Sequence, residues 1–164
     1  MRKGILLGLA LVLMVLGTAM ESRAQGSAPV LEKIWVCPEV NHGDLLKVYI
    51  KAKDADSDIR WIMVSAGRGK GGQQGAFIRL KKEDRKDLNG YVFWDTGQAV
   101  NRNASGTIEV QVEDWKGNES ETMAAPVKIV STGAKSCSVP AEFKDKALGP
   151  IMIEPLERTG GGGA

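Results

Sequence analysis

Histidine is almost missing from these 164 residues, and His42 is the only one. A Ser–His–Asp triad would have to use it. Yet it lies in an Asn41-His42-Gly43 turn, and no nucleophile-elbow pattern accompanies any serine. Cysteine is as scarce, with Cys37 and Cys137 alone. One histidine and two distant thiols do not supply the usual zinc ligand set. The acid–base constellation that an enzyme needs is therefore not legible, and the expectation is a non-catalytic protein. A sustained helical period is also lacking, which argues against a helical bundle.

Charge of one sign is in short supply as well. The chain has 22 Lys and Arg against 20 Asp and Glu; removing Arg2, Lys3, Arg23 and Glu21 with residues 1–24 leaves 19 of each. A neutral remainder gives no general argument for nucleic acid or for an anionic membrane surface. Long apolar runs are confined to the start, where Met1-Arg2-Lys3 precedes an apolar stretch from Ile5 to Val15, followed by Leu16 to Met20. Ser22-Arg23-Ala24 then places small residues where a signal peptidase reads them. Residues 1–24 are expected to be a signal peptide, cleaved after Ala24. The processed chain has no further stretch long enough to span a bilayer. Secretion or a periplasmic location follows as the expectation.

In an oxidising compartment a lone pair of cysteines is expected to bridge, so Cys37 and Cys137 are assigned a disulfide. They flank a region, Val30 to Val130, that reads strand, turn, strand. Leu46, Val48, Ile50 and Ala52 alternate with polar or aromatic partners, as do Ile108, Val110 and Val112. That period of two puts one face in a core and the other in water. Val30 to Cys37, Ile59 to Ala66, Ala76 to Leu80, Tyr91 to Trp94 and Met123 to Ile129 complete about seven strands. Pro126 suggests an edge position for the last of them. Asn89-Gly90 reads as a hairpin turn. Lys81 to Asn89 reads as a charged connection with one helical turn.

All-β sandwich architecture is thus expected over residues 25–140. Residues 141–164 form a tail: a short helix at 141–147, an apolar island at 151–156 and a glycine-rich end. The island either packs on its own domain or adds a strand to another chain. Trp35, Trp61 and Trp94 fall within strands, where they serve as core or sheet-face residues, or as a stacking platform for a sugar or peptide.

Two stretches carry a family resemblance. Lys51-Ala52-Lys53-Asp54-Ala55-Asp56-Ser57-Asp58-Ile59 resembles the junction of the second and third strands in bacterial extracellular Ig-like and cadherin-like modules. Val112-Glu113-Asp114-Trp115-Lys116-Gly117-Asn118-Glu119-Ser120 resembles their turn before the last strand. The resemblance implies a single Ig-like antiparallel β-sandwich, with Trp61 where such domains often keep a core tryptophan. The cysteines lie outside the matching strands, so the inter-sheet bridge of antibody domains has no counterpart.

Asp54, Asp56 and Asp58 alternate through a loop, and alternating carboxylates there can take calcium, with Asp114 or Glu113 completing the site. Cadherin-like modules bind calcium at such edges. The other reading is a solvated turn whose aspartates cap the backbone. An EF-hand is excluded, since Ile59 and Ser65 stand where Gly and Glu are required. Gly67 to Gly75 is glycine-rich, but Gly71 after Lys70 rules out a phosphate loop, which needs Ser or Thr there. Arg68, Lys70, Arg79, Lys81, Lys82, Arg85 and Lys86 gather in one region, and Glu109, Glu113, Asp114, Glu119 and Glu121 in another. Such a split can orient a partner. The expectation is an exported binding or structural module of a bacterial envelope, with a protein or an envelope glycan as partner. A calcium-stabilised adhesion module is the alternative.

Overall fold

The computed structural model of the protein describes residues 26–67, 74–99 and 102–151. The expected signal peptide, most of the glycine-rich stretch with Arg68 and Lys70, and residues 152–164 lie outside them. Among the described residues the chain is all-β. The strands are β1 (Val30–Val36), β2 (Glu39–Asn41), β3 (Leu45–Lys53), β4 (Ile59–Gly67), β5 (Gln74–Arg79), β6 (Asp87–Asp95), β7 (Ala104–Asp114), β8 (Met123–Val130) and β9 (Ala147–Pro150). They form a four-stranded sheet, ordered β1-β3-β6-β9, and a five-stranded sheet, ordered β2-β8-β7-β4-β5. Pairing is antiparallel except for β2 with β8 and β6 with β9.

Alternation in the strands builds the space between the sheets. Leu46, Val48, Ile50 and Ala52 of β3 face Ile62 and Val64 of β4 and Ile108, Val110 and Val112 of β7 across one buried cluster. Each such side chain is worth about 1.5–3 kcal/mol once removed from water. Cys37 and Cys137 form a disulfide with Cα atoms 5.9 Å apart. It ties the end of β1 to the segment after β8, as the scarcity of cysteine led us to expect.

The C-terminal segment departs from expectation. No helix forms over 141–147; a turn at Ala141–Phe143 leads into β9, which adds to the four-stranded sheet. Asn89-Gly90 is no turn either, because both residues lie inside β6. The glycine answers to the tail instead. A Cβ on Gly90 would stand 2.5 Å from the Lys146 carbonyl, which accepts the Tyr91 N–H at 2.8 Å. Ile151, the first residue of the apolar island, is buried in the core, so the island begins by packing on its own domain.

Pro126 lies opposite Thr107, while β2 reaches β8 only from Lys128 onward. The proline is therefore at a local edge, where its missing N–H costs no ladder bond. Trp61, for which the resemblance implied a core position, points to the outer face of the five-stranded sheet, while its neighbour Ile62 points inward. Trp94 alone of the strand tryptophans packs against the core.

Candidate functional site

The turns 54–58 and 114–118 meet at one end of the sandwich. Asp54, 4% exposed, accepts the N–H groups of Asp56 (3.3 Å) and Asp58 (2.7 Å) on its carboxylate. Ser57 closes that turn in the left-handed region at φ 61°. Asp114, fully buried, does the same for Lys116 (2.7 Å) and Asn118 (2.8 Å), and also accepts the Asn118 amide (2.7 Å). Gly117 supplies the positive φ of 80° that this turn requires. Both aspartates thus spend their oxygens on turning backbone, the chemistry that makes Asx turns rigid.

Asp56 and Asp58 are joined to the second turn by one ammonium. Lys116 Nζ lies 2.9 Å from Asp56 and 3.3 Å from Asp58, and the Trp115 N–H donates to the Asp58 carbonyl at 3.2 Å. The Lys116 hydrogen bond, with help from the Ser27 N–H, holds the Asp56 carboxyl below its ordinary value. Burial pushes Asp58 the other way, helped by the neighbouring Asp54. Among the described residues, Asp54, Asp56, Asp58 and Asp114 do not converge, and no group of three or more His, Cys, Asp or Glu side chains is placed to hold a metal ion. A lysine provides the positive charge between Asp56 and Asp58.

Beside these turns lies a second arrangement, built on Trp115. The indole is 41% exposed and has three guanidinium groups around it: Arg60 at 4.5 Å, Arg79 at 5.3 Å and Arg85 at 5.3 Å from the ring centroid. Local backbone pairing explains the gathering. Arg60 is the bulged residue of β4, its carbonyl accepts the Leu80 N–H at 3.0 Å, and the Arg85 carbonyl accepts the Ile59 N–H at 3.2 Å. The starts of β4, the end of β5 and the turn before β6 are thereby bound together, and Trp115 is held against them through Asp58. None of the three arginines forms an ion pair among the described residues. The Nε atoms of Arg60 and Arg85 are buried without a hydrogen-bond partner there.

The aromatic faces continue along the outer side of the five-stranded sheet. Arg60 also lies 5.1 Å from the Trp61 ring, and Trp61 meets Phe77 edge to face at 6.4 Å. Phe77 is 65% exposed. Trp61 stands opposite Arg79 on β5 and Glu113 on β7, and Met63 stands between Phe77 and Gln111. Of the basic and acidic groups expected from sequence, Arg79, Glu109 and Glu113 therefore share one face, while Asp114 is buried in its turn. Arginines crowd its β5 rim, while Glu109 and Glu113 run along β7, two strands away. The sequence reading found Arg79 and Arg85 but passed over Arg60 and Trp115, which belong to other segments. The stretch from Val112 to Ser120 held the one available signal for Trp115: a large aromatic beside the Lys116-Gly117-Asn118 turn.

The opposite outer face is covered over its aromatic cluster. Trp35, Tyr49, Tyr91 and Phe143 form a chain of ring contacts between 5.2 and 5.8 Å. Phe143 seals it, and Lys33 pairs with Glu142 while Lys47 pairs with Asp145 along the flanks. At one end of this cluster the disulfide borders an open groove of about 410 Å³, lined by Trp35, Leu45, Lys47, Tyr49 and Val139 among others. His42 takes no part in either aromatic face: its Nε2 lies 3.3 Å from the Ala99 carbonyl, in a turn pinned by the buried Thr96 hydroxyl.

Comparison with known proteins adds no relative: no family model, no curated protein and no solved structure matches the chain.

Proposed function

We propose that this chain is an exported, non-catalytic binding module of Ig-like topology, and that it recognises a component of the cell envelope through the outer face of its five-stranded sheet. The strand order supports the Ig-like reading. β1, β3 and β6 take the places of the A, B and E strands, and β8, β7, β4 and β5 those of G, F, C and C′. β2 then continues the first strand across to the second sheet, parallel to β8. β9 fills the place beside β6 that a D strand occupies in the constant-type arrangement.

One observation carries the binding role. Trp61, Phe77 and Trp115 keep aromatic surface in water next to guanidinium groups that no carboxylate of the described chain neutralises. Aromatic rings and arginines are the side chains that concentrate binding energy at recognition surfaces. The presequence-like start and the disulfide support an extracytoplasmic setting. The test is a binding screen of the processed protein and of a Trp61→Ala/Phe77→Ala variant against purified envelope glycans and proteins. The wild type is expected to bind and the variant to lose at least about tenfold, as aromatic anchors do. Equal binding by both would remove this face from the account.

A further inference from the structure

We infer that the rim formed by Arg60, Arg79, Arg85 and Trp115 is an oxyanion site, and that it takes the phosphate or sulfate groups of an anionic polysaccharide. The inference deepens the binding role proposed above and rests on it. Guanidinium is a planar fork of donors that matches the spaced oxygens of phosphate and sulfate. Here three forks gather around one indole, and two of them carry a buried Nε without a partner among the described residues. A buried donor left unpaired is costly. Cation–π contact with Trp115 gathers the arginines before any ligand arrives, which lowers the entropy lost on binding. Three acids close to the rim are engaged elsewhere, while Glu113 stands opposite Trp61 on β7. Asp56 and Asp58 face Lys116, and Asp84 faces Lys146.

A chain of charges fits the surroundings better than a lone ion. Lys81, Lys82 and Lys86 follow along the same connection, all exposed and none in an ion pair among the described residues; Glu83 and Asp87 are the exposed acids between and beside them. The strip is narrow. Glu113 stands on β7 opposite Trp61, on the same face, and disfavours a broad anionic surface such as a bilayer, whereas a single polymer strand can follow the β5 side of the rim. Trp61 and Phe77 offer apolar ring surface next to the cations, suited to the C–H faces of sugar rings. A nucleic acid strand would satisfy the same cations, and the expected export of the chain argues against it.

The test uses the processed protein and four probes: dextran sulfate, dextran phosphate, vesicles containing phosphatidylglycerol and a single-stranded oligonucleotide, with uncharged dextran as the blank. The charged dextrans are expected to bind, more weakly as salt rises, and free sulfate to compete only at far higher concentration. Arg79 is exposed, so Arg79→Gln should leave the fold intact by circular dichroism and weaken dextran sulfate about tenfold, the worth of one charge-assisted pair. Arg79→Lys keeps the charge but not the fork and is expected to fall between. Lys128→Gln removes an equal charge from β8 and should change affinity less than about twofold.

Equal losses in Arg79→Gln and Lys128→Gln would overturn the inference, as would vesicles or the oligonucleotide binding as tightly as the charged dextrans. If Arg79→Gln binds dextran sulfate normally while Trp61→Ala/Phe77→Ala loses its envelope ligand, the rim assignment fails and the binding role stands. A wild-type protein that binds neither dextran sulfate nor any envelope component sinks both.

Discussion

The two outer faces of the sandwich start from the same sequence device and end differently. Each carries aromatic residues at alternate strand positions: Trp35, Tyr49 and Tyr91 on the four-stranded sheet, Trp61 and Phe77 on the five-stranded one. On the first, the segment leading to β9 lays Phe143 across the rings, and Tyr49 is left 3% exposed. Burial there also pushes the Tyr49 phenol above its ordinary value. On the second, nothing among the described residues plays that part, and Phe77 stays 65% exposed. A face whose apolar surface is covered by its own chain contributes to stability. A face whose apolar surface stays open beside unpaired cations is the one we propose for a partner.

The comparison can be broken hardest at the disulfide, which anchors the segment that leads to the covering strap. Its cysteines are 100 residues apart in sequence, so the unfolded chain loses much freedom when they are joined. Cys37→Ala/Cys137→Ala is expected to lower unfolding free energy by about 2–5 kcal/mol in urea titration. A loss under about 1 kcal/mol would mean the bridge adds little to the stability of the fold.

Next comes a matched pair of phenylalanines. Phe143→Ala uncovers Tyr49 and should cost about 2–4 kcal/mol, with Trp35 emission moving to longer wavelength as water enters. Phe77→Ala on the open face should stay within about 0.5 kcal/mol. Similar costs for the two would erase the distinction between the faces.

That distinction was only half legible in the sequence. Period-two alternation in 46–52 and 108–112 identified the core side of β3 and β7, because a strand with one wet face must alternate. The same rule assigned Tyr49 to water, and the structure buries it. The covering residue lies 94 positions later, in a stretch that reads as a short helix in the tail, so local pattern could not announce its packing on Tyr49. Gly90 misled for the same reason: Asn-Gly is the strongest short hairpin signal, yet this glycine makes room for the Lys146 carbonyl. The arginine rim was hidden because Arg60, Arg79, Arg85 and Trp115 come from separate segments that only the sheet order unites. The cysteine pair was legible because two thiols leave a single pairing.

Smaller effects belong to the turns beside the rim. Asp58 is raised above its ordinary value of 3.8, so the folded protein holds that proton more tightly than the unfolded chain. Stability should therefore rise as pH falls from neutrality through the folded value of Asp58. Glu32, Asp56 and Glu142 are lowered by their lysine partners, chiefly Lys53, Lys116 and Lys33. Their contribution is present above the unfolded carboxylate range and is lost as pH falls below it. A shallow maximum in melting temperature on the mildly acidic side is expected. Asp58→Asn should flatten its neutral limb by well under about 1 kcal/mol, since the group is partly solvated. An unchanged neutral limb in that variant would assign the rise to another group.

Calcium tests the same turns with the smallest expected effect. With Lys116 already between Asp56 and Asp58, melting temperature should not move on adding millimolar calcium or a chelator. A rise with calcium would restore the alternative of a calcium-stabilised adhesion module.

Hydroxyl-radical footprinting of the native, disulfide-bonded protein reads the contrast between the faces most directly. Phe77 and Trp115 are expected to label readily, while Tyr49 and Phe143 label only after the protein is unfolded. Native labelling of Tyr49 and Phe143 at the rate of Phe77 would contradict the covered aromatic cluster, and with it the contrast drawn between the two sheets.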